Sequence, residues 1–343
     1  MKAVFFRRHG GPEVLEYGDL PAPSIQPTEV LIRVEACALN HLDVWIRQGM
    51  PHVPIPLPHV MGSEIVGRVE RKGAQVTGVR MGQRVLVAPG ISCGRCTACR
   101  AGQDSRCPEF RIVGLQSNGG FADYAAVPGK NLIPVSSRWK PEEWAAVPLV
   151  FMTAWHMLMT RARLKRGETV LIHGAGSGVG SAAIQVARLA GATVFSTAGS
   201  DEKCAKGKAL GAHEVWNYRT GDFAQEVLKT TGQRGVDVVL EHIGPDTWAG
   251  SVRCLARGGR LVTCGSTSGP KVELDLRFFF TKELSVLGCY MGGRKELEEV
   301  LRRIDQGKLK PVVSAVFPLK DAARAQEVME SRNFFGKLVV KTG

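Results

Sequence analysis

The sequence has no apolar run approaching the roughly 18–20 residues that a membrane-crossing helix requires, so no membrane role is expected. Its opening stretch, Met1-Lys-Ala-Val-Phe-Phe-Arg-Arg, holds an apolar core shorter than the about 7–15 residues of a secretory leader. It predicts a first β-strand, and a cytoplasmic location is the expectation. There is no low-complexity tract and no internal repeat, so disordered and solenoid architectures drop out. Carboxylates are in the minority, 32 against 45 Lys and Arg, giving a net charge of +13. There is nevertheless no long basic run with interleaved aromatics. Arg68, Arg71, Arg100, Arg106, Arg161, Arg163 and Arg302 are scattered, which argues against a primary nucleic-acid role and leaves a basic surface suited to an anionic cofactor. A disulfide framework is also missing. Of nine cysteines, Cys37, Cys204, Cys254, Cys264 and Cys289 are dispersed and read as small buried apolar side chains.

What is present points to two domains, because 343 residues exceed one ordinary core. Up to about residue 150 the texture is β-rich. Val30-Leu-Ile-Arg-Val-Glu and Glu64-Ile-Val-Gly-Arg-Val-Glu-Arg alternate, Arg84-Val-Leu-Val-Ala is a short apolar run, and prolines such as Pro21, Pro23 and Pro27 punctuate them. From about 150 the texture changes. Val170-Leu-Ile-His leads through a glycine loop into the helical run Ala182-Ala-Ile-Gln-Val-Ala-Arg-Leu-Ala, then the strand Thr193-Val-Phe-Ser-Thr. The alternation repeats: a helix from Glu202 to about Leu210, a strand near Glu214-Val-Trp, a helix around Phe223–Thr230, and strands at Val236–Leu240 and Gly259–Cys264. This predicts an α/β fold with a doubly wound parallel sheet of Rossmann type beside a β-rich domain. An amphipathic helix over Lys295–Ile304 and a final strand at Gly336–Lys341 follow.

The four remaining cysteines form Cys93-Gly-Arg-Cys96-Thr-Ala-Cys99 with Cys107 beyond, within a lobe at about residues 90–110. Four thiolates can close a tetrahedral shell around one structural zinc, leaving no position for substrate. Two disulfides or an iron–sulfur cluster are the alternatives.

Between Val170–His173 and the following helix lies Gly174-Ala-Gly-Ser-Gly-Val-Gly180. Backbone N–H groups and a helix N-terminus favour a pyrophosphate there, and small residues let it approach. The nearest fit to the glycine fingerprint is Ala175, Ser177 and Gly180, so Ala175, Ser177, Gly178, Val179 and Gly180 are the expected phosphate-loop residues. A carboxylate at the tip of the second strand would select NAD. That strand runs out in Thr197-Ala-Gly-Ser200 instead, and Ser200 with Lys203 could hold a 2′-phosphate. Asp201 and Glu202 could yet serve a ribose hydroxyl. NADP(H) is preferred over NAD(H).

Glu35-Ala-Cys-Ala-Leu-Asn40-His-Leu-Asp43, Met61-Gly-Ser-Glu64-Ile-Val-Gly67, the cysteine lobe and the Gly174–Gly180 loop, in that order, resemble the medium-chain dehydrogenase/reductase superfamily over nearly the whole chain. The resemblance implies a GroES-like catalytic domain over 1–150 and 294–343, and a Rossmann domain over 151–293. In the zinc alcohol dehydrogenases of that superfamily a Cys, a His and a Cys hold a catalytic metal; here Asn40, Ser63 and a position near Leu149 stand instead. The hydroxyl and imidazole of their proton relay align with Leu42 and Trp45. Asn40-His-Leu-Asp43-Val-Trp-Ile-Arg and Asn217-Tyr218-Arg219 are more similar to the zinc-independent quinone oxidoreductases, in which a tyrosine like Tyr218 and a lysine like Lys337 lie near the cofactor.

The expected function is therefore hydride transfer to a quinone or α,β-unsaturated carbonyl without catalytic zinc. Asn40 is the expected hydrogen-bond donor to the developing oxyanion and Asp43 its orienting partner. One alternative is a zinc-dependent alcohol dehydrogenase with an irregular metal site among Cys37, His41, Asp43, His52, His59 and Glu64. Another is a non-enzymatic cofactor-binding structural or RNA-binding protein. Relatives associate through edge strands, so Glu283–Tyr290 predicts a homodimer or homotetramer.

Overall fold

Alternating apolar residues in the first part of the chain pair into a sheet whose register brings distant polar residues together. The computed structural model describes residues 1–51 and 53–343 and divides into two units. The first holds 1–149, 293–305 and 310–343; the second holds 150–292 and 306–309.

The first unit is built on a seven-stranded sheet. Its main path runs Val313–Pro318, Lys337–Lys341, Glu29–Ala38, Glu64–Lys72, Arg84–Val87 and Leu132–Pro134, and Tyr124–Pro128 pairs beside Glu29–Arg33. Val30, Ile32 and Val34 are buried on one face of their strand, whereas the neighbours Ile65 and Val66, and Val85 and Leu86, are buried on both faces of theirs. The last strand is antiparallel to Glu29–Ala38, with Val339 opposite Ala38 and Val340 opposite Cys37. Across the other edge of that strand, Ala38 faces Glu64. One row therefore carries the end of the central strand, the start of its neighbour and the C-terminal segment. The helix His41–Gln48 follows immediately, and its Arg47 is fully buried against Gln326 (2.7 Å) and Glu330 (2.9 Å) of the helix Ala322–Glu330.

The second unit is a parallel six-stranded sheet. We label its elements β1 (Thr169–Ile172), α1 (Gly178–Leu189), β2 (Thr193–Ala198), α2 (Asp201–Ala209), β3 (Glu214–Asn217), α3 (Phe223–Thr230), β4 (Val236–Glu241), α4 (Pro245–Arg253), β5 (Leu255–Thr263) and β6 (Ser285–Gly288). The strand order is β3-β2-β1-β4-β5-β6, the doubly wound order with its switch point between β1 and β4. Leu171, Phe195, Val239 and Leu261 of the sheet pack with Ala224, Val227, Trp248 and Val252 of α3 and α4. The caps suit the sequence: Ser177, Ser200 and Asp222 each accept an N–H from the first turn of α1, α2 and α3. Among the described residues no helix is long and apolar enough to cross a membrane.

Candidate functional site

In the first unit, the row just described creates a buried polar cluster. Leu39 N–H donates to Leu338 C=O (2.9 Å), which carries Lys337 alongside Asn40. The Lys337 ammonium donates to Glu64 Oε2 (2.7 Å), to Asn40 Oδ1 (2.7 Å) and to the Leu39 carbonyl. Asn40 Nδ2 donates to the same Glu64 oxygen (3.0 Å), and Glu64 Oε1 accepts from Leu149 N–H (2.7 Å). An ammonium has three hydrogens, and all three of Lys337 are matched by acceptors within this unit. Asn40 retains one amide N–H with no partner among the described residues. Glu64 and Lys337 hold the Asn40 amide, while Asp43, its expected orienting partner, forms a capping box with Asn40, accepting the Asn40 backbone N–H (2.7 Å) and the Gly62 N–H (3.2 Å). Burial pushes the Asp43 carboxyl up to about 7, against the opposing pull of those N–H groups and the Lys337 charge. Lys337, expected beside the cofactor, therefore spends its ammonium on Asn40, Glu64 and Leu39.

The other polar residues of this region are not gathered as ligands. Cys37 is fully buried on its strand, and burial drives its thiol well above the usual range. His59 Nε2 pairs with the Gly114 carbonyl (3.0 Å), and the His41 ring meets Trp45 edge-on at 5.0 Å. His52 lies outside the described residues. Among them, Cys93, Cys96, Cys99 and Cys107 form the one group of potential ligands, with sulfurs all within 4.8 Å of one another. Cys93 and Cys99 Sγ are 3.9 Å apart and Cys96 and Cys99 Sγ 3.5 Å apart. A tetrahedral zinc with bonds of about 2.3 Å sets its sulfurs about 3.8 Å from one another, whereas a disulfide needs about 2.05 Å. The Arg95 and Cys96 backbone N–H groups point at Cys93 Sγ and push its thiol down to about 6. Against the pull of the Cys99 N–H, burial and the neighbouring sulfurs push Cys96 up to about 11, as expected when four thiols compete for one set of charges. The lobe is fastened by Asp104, which accepts from Arg294 N–H (2.9 Å) and Ser92 Oγ (3.2 Å).

In the second unit, Gly174 has φ +64°, and a Cβ on Gly180 would collide with the Gly174 carbonyl oxygen. Only glycine closes this turn against the start of α1. Ser177 caps α1 by accepting Gly180 N–H (2.8 Å), Gly178 and Val179 form its first turn, and Ala175 N–H donates to Thr197 C=O (2.8 Å). The loop thus presents a helix N-terminus at the carboxyl ends of β1 and β2, an arrangement suited to a pyrophosphate.

Beneath it lies a polar network that sequence reasoning missed. His173 pairs with Thr197 Oγ1 (3.1 Å) and Ser251 Oγ (2.8 Å), and Ser251 donates to Glu241 Oε2 (2.9 Å). Glu241 also accepts from Ile243 N–H (2.7 Å), Gly244 N–H (3.2 Å) and Thr247 Oγ1 (2.8 Å). His242 Nε2 donates to the His173 carbonyl (2.8 Å). Burial pushes His173 down to about 4 and lowers His242. The signal available in the sequence was a charged residue ending the apolar strand β4.

At the end of β2, Ser200 caps α2, and Lys203 sits in its first turn. Burial and the neighbouring Arg219 cation hold the Lys203 ammonium below its usual value. The Tyr218 hydroxyl lies so close to Gly199 that a Cβ there would approach it to 2.6 Å. Asp201 accepts from Asn217 Nδ2 (2.8 Å) and Glu202 pairs with Lys206 (2.6 Å). Arg219, which the sequence reading left out of the site, forms no ion pair among the described residues.

Comparison with known proteins agrees with this architecture. Residues 26–137 match the family described as "Alcohol dehydrogenase GroES-like domain", and residues 178–306 match "Zinc-binding dehydrogenase". The chain is 32% identical to a quinone oxidoreductase of Sus scrofa, covering 99% of this chain and 97% of that protein. It is 32% identical to an acryloyl-coenzyme A reductase of Metallosphaera sedula over all of both chains. Among solved structures, an NAD-dependent alcohol dehydrogenase superposes with a TM-score of 0.97 at 45% identity over all of both chains. A shared two-unit plan, in matching order and over essentially full length, leads to one assignment: the chain belongs to the medium-chain dehydrogenase/reductase superfamily, as an NAD(P)-dependent oxidoreductase.

Proposed function

We infer that this oxidoreductase passes hydride from NADPH to a quinone or an α,β-unsaturated carbonyl, without a catalytic zinc. The observation that carries this reading is the donor set around Glu64. Asn40, Ser63 and Leu149 offer neither thiolate nor imidazole, and both Glu64 oxygens are engaged, by Lys337 and Asn40 on one side and Leu149 N–H on the other. Without a Lewis acid, a plain alcohol is hard to oxidise, whereas an electrophilic acceptor needs only its developing negative oxygen stabilised.

Bound nicotinamide supplies the hydride. The chain supplies the remaining Asn40 N–H as the oxyanion donor, held in place by Lys337 and Glu64. Asp43, titrating near neutrality, braces the backbone of Asn40 and Gly62. Gly174–Gly180 receives the pyrophosphate. Ser200, Lys203, Tyr218 and Arg219 receive a 2′-phosphate, a reading supported by the engagement of Asp201 and Glu202 elsewhere. Cys93, Cys96, Cys99 and Cys107 hold one structural zinc. Association of two or four copies uses the exposed edge β6, where Val286 is 41% exposed and the nearby Phe280 and Tyr290 are 69% and 53% exposed.

A second reading is favoured by the NAD-dependent alcohol dehydrogenase at 45% identity: alcohol oxidation with NAD at an irregular metal site. Turnover assays with NADPH and NADH against quinones, enals and enoyl thioesters, and with NADP and NAD against alcohols, separate the two when paired with metal analysis. NADPH-dependent reduction with about one zinc per chain is the expected result. Alcohol oxidation with two zinc ions per chain would establish the other.

A further inference from the structure

A second polar site lies in the nucleotide-binding unit, away from its phosphate loop. A cleft of about 390 Å³ is lined by Thr160, Arg161, Arg163, Lys165, Arg260, Ser285 and their neighbours. Lys165 precedes β1, whose far end carries Gly174–Gly180, and Ser285 opens β6 opposite Arg260 of β5.

Three observations converge on this cleft. First, four cations line it; Glu168 accepts from Arg260 (2.7 Å), and Asp237, already paired with Arg234, is the second carboxylate near Arg260. Arg163 and Lys165 have no side-chain partner among the described residues. Like charges brought into one cleft repel unless an anion lies between them. Second, the Nε of Arg260 is buried with no hydrogen-bond partner, an unmet donor that a folded protein ordinarily avoids. Third, the lip of the cleft is held in two uncommon backbone states. His156–Arg161 is a π-helix, closed by Ala162 N–H to Met157 C=O (2.9 Å), and Arg163 has φ +50°. π-Turns and left-handed non-glycine residues each cost energy and concentrate at binding sites. Arg161 is oriented here by its own Nε bond to Gly288 C=O (2.8 Å).

We propose that this cleft is a binding site for a phosphate-bearing small molecule, distinct from the dinucleotide site. A phosphate group presents several strong acceptors to guanidinium forks, and guanidinium outnumbers ammonium on this wall three to one. The volume suits a phosphorylated metabolite and lies within the range of about 300–1,000 Å³ typical of small-molecule pockets. The site is independent of the redox reading, since none of its residues belongs to the Asn40 cluster or the phosphate loop.

The test is calorimetric titration of inorganic pyrophosphate into the full-length protein saturated with NADP or NAD, whichever it binds more tightly, so that the dinucleotide site is already filled. Saturable binding at one site per chain is expected. The double variant Arg163→Gly/Lys165→Gln should weaken it by about tenfold or more, while NADP affinity and melting temperature stay unchanged. Glycine suits the left-handed backbone at 163 and Lys165 is exposed, so this variant is expected to fold. Displacement of pyrophosphate by AMP or by ribose 5-phosphate supports the site and tells whether nucleotides or sugar phosphates are its source. No saturable binding below about 1 mM, or equal binding by the double variant, would overturn the proposal.

Discussion

Lys337 and Glu64 are 5% and 0% exposed at their side chains and 2.7 Å apart, so each charge relies on the other, with Asn40, Leu39 and Leu149 among the partners that replace water. Removing one partner of such a pair strands the other and costs about 3–5 kcal/mol. Lys337→Met should therefore lower the free energy of unfolding by roughly that amount in urea titrations. Adding Glu64→Gln should recover much of the loss, because the neutral amide no longer demands a counter-charge. A purely steric role for Lys337 predicts no such recovery. The same residue illustrates what could be read before folding. The roles proposed for Asn40, Ser177, Lys203 and the four clustered cysteines rest on residue type, spacing and family resemblance. The partnership of Lys337 with Asn40, across 297 positions, follows from strand register, which spacing does not encode.

At the scale of elements, the carboxyl ends of β1, β2 and β4 share the buried His173, Thr197, Ser251 and Glu241. The folded chain holds His173 neutral down to about pH 4, whereas an unfolded histidine takes up its proton near 6.5. Below that unfolded value the unfolded state binds the extra proton. The stabilisation is thus fully present above pH 6.5 and is lost as pH falls toward 4. Melting temperature should fall over this window, and His173→Gln should flatten the fall while keeping a polar group between Thr197 and Ser251. An unchanged pH profile in the variant would mean that another group sets the acid limb. These elements were legible in the sequence as a doubly wound sheet, because β1, β2 and β4 read as apolar runs with glycines at the turns. The network was not legible, because its members come from four separate segments, each with one polar residue to spare. The phosphate loop shows the same boundary. Its place between strand and helix was evident, but that Gly174 sits at φ +64° and that a Cβ on Gly180 would strike the Gly174 carbonyl emerges only from the geometry of the turn.

For the whole molecule, the cysteine lobe belongs to the first unit and the dinucleotide loop to the second. If the four cysteines hold the proposed zinc, its loss should accordingly weaken one function of the protein and spare another. Cys96→Ser should abolish zinc retention and lower the melting temperature by several degrees, because Asp104, Ser92 and Arg294 lose the scaffold that aligns them. NADP affinity, measured by fluorescence titration at a temperature where the variant is folded, should remain near the parent value. A drop in cofactor affinity equal to that of a phosphate-loop variant would contradict the independence of the two units. The division into a β-rich and an α/β part was visible in the sequence as a change of texture near residue 150. The brief return of 306–309 to the second unit was not, since four residues carry no periodicity.

The placement of Lys337–Lys341 inside the sheet, between Val313–Pro318 and Glu29–Ala38, bears on how the protein is made. A ribosome delivers Glu64 long before its counter-ion Lys337, and until the strand Lys337–Lys341 is added the carboxylate has no ammonium with which to be buried. The second unit, almost all from one continuous stretch, can mature during synthesis, while the first waits for the strand Lys337–Lys341. Shortening the chain by its last ten residues should thus yield a half-assembled polypeptide that still recognises the dinucleotide yet lacks the Lys337 partner of the proposed Asn40 donor.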